Sequence, residues 1–402
     1  MTVNTNEEVR AAIASLLRIG EPGDGLLKRL VDDIGPVAAH TIVTVVGRGE
    51  ATADEAMAGL NSTGAEAATH GQMREAIERW AVRAGDEDVA VAGRDLDKIA
   101  RLGGRLVIPG DEEWPSMLDD LGPAAPLGLW VRGTVSLTRA LSRAVAVVGA
   151  RAASNYGTKC ASDLAWDLAA HGITVVSGGA FGIDAAAHRA AIAREAPTIA
   201  FMAGGVDRFY PAANADLFEQ ILATGAIVSE TAPGMTPMRH RFLLRNRLIA
   251  ASAQVSVIVE AGWRSGALNT ARHALELSRQ VAAFPGSVYS ASSTGAHRLV
   301  REHEAELVTC SDDVIALMDD HAPALFDTDS GASQRPDPLE DLGEREKICL
   351  NALTVSKPLD VGTIASRAGL TITGALSSLT VLDLAGLAER RDTGWVKLRV
   401  RR

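Results

Sequence analysis

Between residues 144 and 318, short apolar segments alternate with longer segments of helical spacing, and this alternation limits the possible folds more than any other sequence feature. Ala144–Val148 and Thr174–Ser177 have the length and apolar content of strands that are buried on both faces. Such strands, alternating with helices, form a parallel sheet covered on both sides, with right-handed crossovers. The sequence therefore predicts an α/β fold with a doubly wound, mostly parallel sheet.

The sequence on either side of this region predicts further domains. Residues 1–85 have helical spacing, with Gly35 and Gly47 at positions typical of compact helical modules, either helix-hairpin-helix-like ones that touch DNA or SAM-like adaptors. Residues 319–343 are rich in Asp, Pro, Ser and Gly, which favours an acidic flexible linker. Residues 344–402 predict three helices and a two-stranded hairpin, the pattern of a winged helix. The sheet domain then spans residues 86–318.

Four of the predicted strands end in glycine-rich turns, at residues 149–157, 177–184, 203–211 and 261–270. Ligands of open parallel sheets bind at the carboxyl ends of the strands. Glycine lets backbone amides approach an anion closely, and the next helix adds its positive N-terminal end. These turns also carry hydroxyl groups and cations: Ser177, Ser265, Thr270, Arg151, Arg208 and Arg264. So many turns of this kind favour a string of phosphates over a single cofactor.

Residues 237–247 bring four arginines into a stretch that has no acidic residue between Glu230 and Glu260. The arginines are Arg239, Arg241, Arg245 and Arg247. Because the whole chain has a net charge of −10, this is a local positive patch. Guanidinium groups bind phosphate oxygens in pairs, and Phe242 offers a face for a stacked base. A solvated helix face explains such a stretch taken alone, but the neighbouring turns favour phosphate binding.

Other chemistry is poorly supported by the sequence. The turn at 178–183 departs from the dinucleotide fingerprint, and neither a P-loop nor a nucleophile-elbow motif occurs. Asp184 and His188 lack a third metal ligand or a nucleophile, so we expect Asp184 to brace its turn and His188 to bond within the core. Glu230 and Glu260 are expected to orient arginines or backbone amides. No catalytic residue, metal site or cofactor is predicted.

The chain has the features of a cytoplasmic protein. Its first ten residues contain Glu7 and Glu8 and no apolar run, unlike a secretory signal, and no stretch of about 18 apolar residues predicts a membrane span. Three widely spaced cysteines form neither a zinc spacing nor an even set of pairs, which favours a reducing compartment. An isoelectric point of 5.5 argues against coating of nucleic acid but permits a focused basic groove.

Seven motifs resemble the DprA/Smf family of DNA-processing proteins: VVGARAASNYG, VVSGGAFGIDAAAH, GGVDRFYP, IVSE, FLLRNRLIA, SGALNTA and FPGS. They lie in the family's order between residues 106 and 318. The resemblance implies an extended Rossmann-like domain that binds single-stranded DNA without sequence preference. It also implies a non-catalytic role in natural transformation, in which the protein protects incoming strands, loads the RecA recombinase and forms a homodimer through this domain.

The resemblance also carries a set of DNA-contacting positions to this chain. They are Arg151, Ser177, Gly178, Gly179, Arg241, Phe242, Arg245, Asn246 and Arg247, extended to Arg208, Ser265, Gly266 and Thr270. Two turns depart from the family pattern. Residues 295–297 read Gly-Ala-His where the family has GTN or GCN, and residues 177–180 read SGGA where it has SGLA.

Two alternative functions remain open on the sequence. The Rossmann-like core also resembles LOG-type nucleotide phosphoribohydrolases, although their PGGxGT signature is absent. A winged-helix transcription regulator is the other alternative. Against it, residues 371–388 contain no Lys or Arg, whereas a recognition helix normally brings such side chains to base edges. Most basic residues of the last domain lie after that helix, at Arg390, Arg391, Lys397, Arg399, Arg401 and Arg402.

Overall fold

The computed structural model describes residues 5–58, 67–84, 88–319, 343–354, 358–384, 387–391 and 394–398. The chain divides into two compact units, Met1–Ala322 and Pro323–Arg402. The linker predicted at 319–343 lies outside the described residues apart from its two end positions. The predicted helical and sheet domains both fall within the first unit.

The first unit begins with helices, as predicted for its N-terminal part. They are α1 (Thr5–Ile19), α2 (Gly25–Ile34), α3 (Pro36–Gly47), α4 (Ala53–Met57), α5 (Ala67–Ala81) and α6 (Asp88–Arg101). Asp24 caps α2 by accepting hydrogen bonds from the amides of Leu26 and Leu27, and its second oxygen accepts one from the indole of Trp80. Pro36 occupies the first turn of α3, where its missing amide costs nothing.

A nine-stranded sheet follows, interleaved with helices. In chain order the elements are β1 (Gly104–Val107), β2 (Leu129–Gly133), α7 (Leu137–Leu141), β3 (Ala144–Val148), α8 (Asn155–Ala170), β4 (Thr174–Ser177), α9 (Ile183–Ala193), β5 (Thr198–Phe201), α10 (Ala215–Thr224), β6 (Ala226–Ser229), α11 (Arg239–Ala251), β7 (Val255–Ile258), α12 (Ala267–Glu276), β8 (Gln280–Ala283), α13 (Thr294–Arg301), β9 (Glu306–Leu307) and α14 (Ser311–Asp319). The mostly parallel α/β sheet predicted from the sequence is confirmed.

The strand order, β1-β2-β6-β5-β4-β3-β7-β8-β9, places a topological switch point between β3 and β7. Strands β3 to β9 are parallel to their neighbours, and β1 and β2 extend the sheet in antiparallel fashion beside β6. From β3 the chain moves outward through β4, β5 and β6, then returns to β7 on the other side of β3. The turns after β3 and β7 therefore leave the sheet side by side and open a crevice between them.

The N-terminal helices and the sheet share one apolar core. Leu16, Leu30 and Ile77 belong to the same buried cluster as Trp130 of β2 and Phe218 of α10. Two other clusters lie on the sheet, one containing α11 and α12 and the other containing α8, α9 and α14. The helical segment is thus packed on the sheet and not tethered to it by a linker.

The second unit contains α15 (Glu344–Ala352), α16 (Val361–Ala368), α17 (Ile372–Leu384) and the antiparallel strands β10 (Ala388–Arg391) and β11 (Gly394–Lys397). These are the helices and hairpin that the sequence predicted. Asp360 caps α16 through the amide of Thr363, and Gly369 ends it in the left-handed conformation. The small apolar core of the second unit contains Ile364, Leu379 and Trp395.

The three cysteines, Cys160, Cys310 and Cys349, are free thiols. Within the described residues, no single helix combines the length and the apolar character needed to cross a bilayer. Helices α2 and α3 meet those criteria only as a pair, joined across a bend of 117°.

Candidate nucleic-acid interface

A cavity of about 300 Å³ lies at the switch point, between the turns after β3 and β7 and the helix α11. Seven of the residues predicted to contact DNA line it: Arg151, Phe242, Arg245, Asn246, Ser265, Gly266 and Thr270. Asp184 and the apolar side chains of Val148 and Ile249 complete much of the wall. The structure therefore brings together the turns and the arginine helix that the sequence marked separately.

Helical periodicity decides which residues of α11 face the cavity. Phe242, Arg245, Asn246 and Ile249 recur at intervals of three and four residues, so they share one face of the helix. Leu243 also reaches the cavity lining, whereas Leu244, Arg247 and Leu248 do not. Sequence proximity alone made the four arginines of this segment look like one patch.

Arg245 is a buried cation beneath the cavity, with 7% of its surface exposed. Its guanidinium donates hydrogen bonds to the carbonyls of Gly178 and Phe201, and so joins the turns after β4 and β5. Glycine at position 178 leaves room for this guanidinium, since a side chain there would displace it. Burial lowers the pKa of Arg245 to about 10, which still leaves it charged at neutral pH.

Arg151 supplies a second, exposed cation at the mouth of the cavity. Its guanidinium lies over the ring of Phe242, 5.2 Å from the centroid, in a cation–π contact. Tyr210 comes from the turn after β5, and its ring lies 5.5 Å from that of Phe242 at an angle of 54°. Tyr210 is 46% exposed. Two aromatic faces and a guanidinium plane thus meet at the cavity edge.

Tyr210 was not among the residues predicted from the sequence. The turn after β5 contains Phe209 and Tyr210 in succession, and only their surroundings distinguish them. Phe209 stacks on buried Phe218, with 5.3 Å between ring centroids, whereas Tyr210 turns toward Phe242. An aromatic pair beside a glycine-rich turn was the available signal, but it did not say which ring faces the cavity.

The turn after β7 contributes open backbone to the cavity. Asn246 donates to the carbonyl of Gly266 at 3.3 Å, which fixes the start of α12 against α11. Gly266 has φ −62°, and a Cβ added to it would meet no atom within 4 Å. Since neither the backbone nor the packing needs glycine here, its small size serves to leave space at the cavity. The adjoining amide end of α12 faces the same region.

Asp184 braces the turn after β4, as predicted. One carboxylate oxygen accepts hydrogen bonds from the amides of Gly178, at 3.1 Å, and Ala180, at 3.3 Å. Burial raises the pKa of Asp184, and nearby Arg245 together with these amides opposes that shift. The carboxyl group therefore shapes the turn that Arg245 holds from the other side.

His188 bonds within the core, also as predicted. Thr198 donates its hydroxyl hydrogen to the carbonyl of Val175, so it accepts the hydrogen on Nδ1 of His188, at 2.8 Å. Nε2 of His188 is buried and has no hydrogen-bond partner among the residues that the structure describes. Burial, with smaller contributions from Arg245 and Arg189, lowers the pKa of His188 to about 3. The imidazole is neutral at physiological pH.

The lowered pKa of His188 predicts a loss of stability in acid. Between pH 6.5 and about 3 the unfolded chain binds a proton that the folded chain does not, so the free energy of unfolding falls as the pH falls through this window. The slope from this one group approaches about 1.4 kcal/mol per pH unit. Urea unfolding at a series of pH values measures it. His188→Asn keeps an N–H donor for Thr198 and removes the titrating group, so the slope of unfolding free energy against pH should fall by the contribution of one proton. An unchanged slope would contradict the assignment.

Two of the predicted arginines, Arg241 and Arg247, lie outside the cavity and are already paired. Arg241 donates to both carboxylate oxygens of Glu21, at 2.9 and 3.0 Å, and Arg247 donates to Glu230 at 2.6 Å and to the carbonyl of Ala124 at 2.8 Å. Both side chains are buried. They join α11 to the N-terminal helices and to the strand end of β6, and their charges are balanced locally.

Four more predicted positions hold the turns or stand apart. Ser177 is buried and donates to the carbonyl of Val147 at 2.7 Å. Gly179 has φ +67°, and a side chain on it would collide with Phe218. Gly178, described above, packs against Arg245. Arg208 is exposed in the turn after β5, with its Nε 4.0 Å from the Asp207 carboxylate, and does not line the cavity.

Glu230 and Glu260 orient other groups, as predicted. Glu230 pairs with Arg247 and accepts the amide of Gly23 at 3.2 Å. Glu260 accepts the amide of Ser154 at 2.9 Å and its hydroxyl at 2.6 Å, at the start of α8. No group of three or more His, Cys, Asp or Glu side chains in the described part of the chain is arranged to hold a metal ion.

The sheet and the cavity together define a Rossmann-like α/β protein whose switch point is lined by cations and edged by aromatic rings. Residues 105–319 match the family model of the DNA recombination-mediator protein A family, and the chain belongs to that family. The predicted family resemblance is thereby confirmed.

The relatives and solved structures agree with this membership. The chain is 42% identical over 399 residues to a protein of Mycobacterium tuberculosis described as a DNA processing protein DprA, covering 96% of this chain and 94% of the relative. It is 33% identical over 296 residues to protein Smf of Escherichia coli, covering 73% and 77% respectively. The X-ray structure of DNA processing protein A from Streptococcus pneumoniae superposes with a TM-score of 0.58 at 28% identity, covering 79% of this chain and 98% of that one.

Proposed function

We propose that this protein acts in DNA processing by binding single-stranded DNA without sequence preference, in the cavity between the turns after β3 and β7 and the helix α11. The observation that carries the proposal is the state of two cations there. In the described residues, neither Arg151 nor Arg245 has a carboxylate oxygen within ion-pair distance, whereas Arg241 and Arg247 are paired. The Asp184 carboxyl acts on Arg245 from beyond ion-pair distance, so a buried cation without a contacting carboxylate lies at the cavity and favours an anionic ligand.

Each element of the cavity matches a part of a single nucleic-acid strand. Arg151 would bind a phosphate, Arg245 would add positive potential from beneath, and the amide end of α12 would donate hydrogen bonds to a second phosphate. Phe242 and Tyr210 offer faces on which a base can stack. None of these contacts reads a base edge, so the binding should tolerate any sequence. Relatives from Mycobacterium tuberculosis and Streptococcus pneumoniae are described as DNA processing proteins, which supports the same function.

Binding should depend steeply on salt. Each phosphate neutralised on a single strand contributes about −0.7 to the slope of log affinity against log salt, so a strand crossing the cavity should give a slope of several units. Titrating oligothymidine into the full-length protein at a series of salt concentrations measures this slope. A blunt duplex of the same length is the control and should bind more weakly. Salt-independent binding, or equal affinity for the duplex, would contradict the proposal.

We also propose that the protein works without catalysis, through partners. Asp184, His188, Glu230 and Glu260 are the acid–base candidates of the sheet rim, and each is committed to a hydrogen bond that holds the fold. Incubation with nucleoside monophosphates should therefore release no free base, which separates this function from a LOG-type hydrolase.

Two partners follow from the family resemblance. One is a RecA-type recombinase, loaded onto the bound strand. The other is a second copy of the chain, for which the outer edge of the sheet at β9 is available, with Leu307 of this strand 52% exposed. Sedimentation of the protein alone, with oligothymidine and with recombinase would detect each association.

The same proposal assigns roles to the flanking segments. We propose that residues 1–85 are a helical SAM-like or helix-hairpin-helix-like domain, that residues 86–318 are the extended Rossmann-like DNA-binding domain, and that residues 344–402 are a winged helix. The exposed part of α17 carries Ile372, Leu376 and Val381 and no cation, which favours a protein contact over reading of a duplex. Selection on random duplexes should then yield no consensus site.

A further inference from the structure

Trp263 is an exposed tryptophan beside the candidate interface that the proposed site does not include. It lies in the turn after β7, two residues before Ser265 of the cavity wall, and 56% of its surface is exposed. Two residues of chain span at most about 7 Å, so the backbone of Trp263 lies within that distance of the cavity wall. Large aromatic side chains exposed to this degree on a functional rim are candidate binding groups.

The indole of Trp263 is held by Arg298 of α13. The guanidinium of Arg298 lies over the ring, 5.0 Å from the centroid. Since one face of the indole is covered in this way while the side chain stays exposed, the other face is open. Arg298 also lies 3.6 Å from the Glu302 carboxylate, which steadies it along the helix.

Gly295 fixes the distance between α13 and the turn that bears Trp263. Its amide donates to the carbonyl of Ala261 at 2.7 Å. A Cβ at this position would lie 2.8 Å from the same carbonyl oxygen and 2.7 Å from that of Gly262, so only glycine allows the approach. Gly295, which the family pattern shares, therefore lets α13, and with it Arg298, lie close to the turn that bears Trp263.

The surroundings of Trp263 are continuous with the cavity in charge and in aromatic character. Its neighbour Arg264 is exposed and takes part in none of the hydrogen bonds or ion pairs found among the described residues. The turn after β8, the next strand outward at about 4.8 Å, carries Tyr289 with 97% of its surface exposed. Exposed aromatic rings thus occur in the turns after β5, β7 and β8, at Tyr210, Trp263 and Tyr289, and these parallel strands end at the same edge of the sheet.

We propose that Trp263, backed by Arg298, is a second stacking platform that extends the path of the DNA strand from the cavity toward the turn after β8. This inference rests on the proposed single-strand binding and names a further contact for it. A stacked base would lie on the open face of the indole, and Arg264 would meet the adjoining phosphate. Stacking on an indole tolerates every base, so the extension keeps the binding independent of sequence.

The chain contains a matched control for Trp263. Of its six tryptophans, only Trp166 and Trp263 are substantially exposed, and Trp166 is likewise covered by a guanidinium, that of Arg194, at 4.7 Å. Trp166 lies late in α8, away from the strand ends where the cavity opens. Both residues can be replaced without opening the core, because both side chains are exposed and the other four tryptophans are buried.

The test uses the full-length protein, oligothymidines of increasing length and two readouts. Trp263→Ala should weaken binding of long oligothymidine about tenfold, Trp263→Phe should restore much of the loss, and Trp166→Ala should have no effect. In the wild type a stacked base should quench indole fluorescence, and Trp263→Phe but not Trp166→Phe should remove that quenching.

Two results would overturn this inference while leaving single-strand binding intact. One is unchanged affinity and unchanged quenching in the Trp263 variants. The other is a Trp263→Ala protein whose DNA affinity is normal but whose sedimentation changes, which would assign the ring to a protein contact. Failure of the wild type to bind oligothymidine would instead overturn the proposed function, and this inference with it.

Discussion

Arg245→Ala is expected to abolish measurable binding of oligothymidine. The substitution removes the buried charge beneath the cavity and releases the turns after β4 and β5, whose carbonyls at Gly178 and Phe201 lose their donor. Each buried acceptor left unpaired costs about 1–3 kcal/mol, so the free energy of unfolding should fall as well. Urea unfolding and titration with oligothymidine, on the same preparation, measure the two effects.

Arg247→Ala separates the two effects of that substitution. Arg247 lies two residues further along α11, is equally buried, and pairs with Glu230 on another face of the helix. Breaking this buried pair should cost about 3–5 kcal/mol of stability. The folded fraction should nevertheless bind oligothymidine as the wild type does, because the cavity wall is untouched. If both variants lose affinity equally after correction for unfolded protein, Arg245 has no special role in binding.

Arg151→Ala should weaken single-strand binding about ten- to a hundredfold without lowering the urea midpoint. Arg151 is exposed, and its guanidinium packs on the face of Phe242, so its loss removes a phosphate ligand and leaves the fold intact. Hydrogen bonds to charged groups are worth about 1.5–3 kcal/mol, which sets this range. The slope of log affinity against log salt should also become shallower by about 0.7 for the lost phosphate contact.

Arg194→Ala is the matched control for Arg151→Ala. Arg194 also covers an exposed aromatic ring, that of Trp166, but at the far end of α9 from the cavity. Its replacement should change neither affinity nor salt slope. Arg151→Lys should give an intermediate affinity, since it keeps the charge and loses the planar fork. Equal effects of the Arg151 and Arg194 substitutions would reduce the role of Arg151 to that of general surface charge.

The central strands could be predicted from sequence because each is apolar on both faces and is bounded by a helix of clear period. Two edge strands could also be predicted, near residues 106–109 and 127–133, but their pairing could not. Strands β1 and β2 pair with each other and then with β6, whose residues lie about a hundred positions away, and local composition does not encode such a pairing. Helix α6 also escaped prediction, because its sequence is dominated by small and charged residues.

The sequence predicted which turns form the candidate site, but only two of the five predicted arginines, Arg151 and Arg245, line it. The sequence shows no acidic residue near Arg241, but Glu21 reaches it from 220 positions earlier in the chain. Likewise, the ring of Tyr210 meets that of Phe242 through tertiary packing alone. Charge along a sequence therefore overstates the charge of a surface, because folding supplies counterions from distant segments.

The core that α1–α6 share with the sheet determines how the protein can be dissected. A fragment starting at residue 105, where the family model begins, would lack the helices that pack against Trp130 and Phe218. It would also leave Arg241 buried without its ion-pair partner, Glu21. The apolar surface exposed in this way should make the fragment prone to aggregation, so its DNA binding would differ from that of the full-length protein. The boundary of the family match, at residue 105, therefore differs from the boundary of the compact unit. We expect a soluble fragment to keep the N-terminal helices and to end near residue 322.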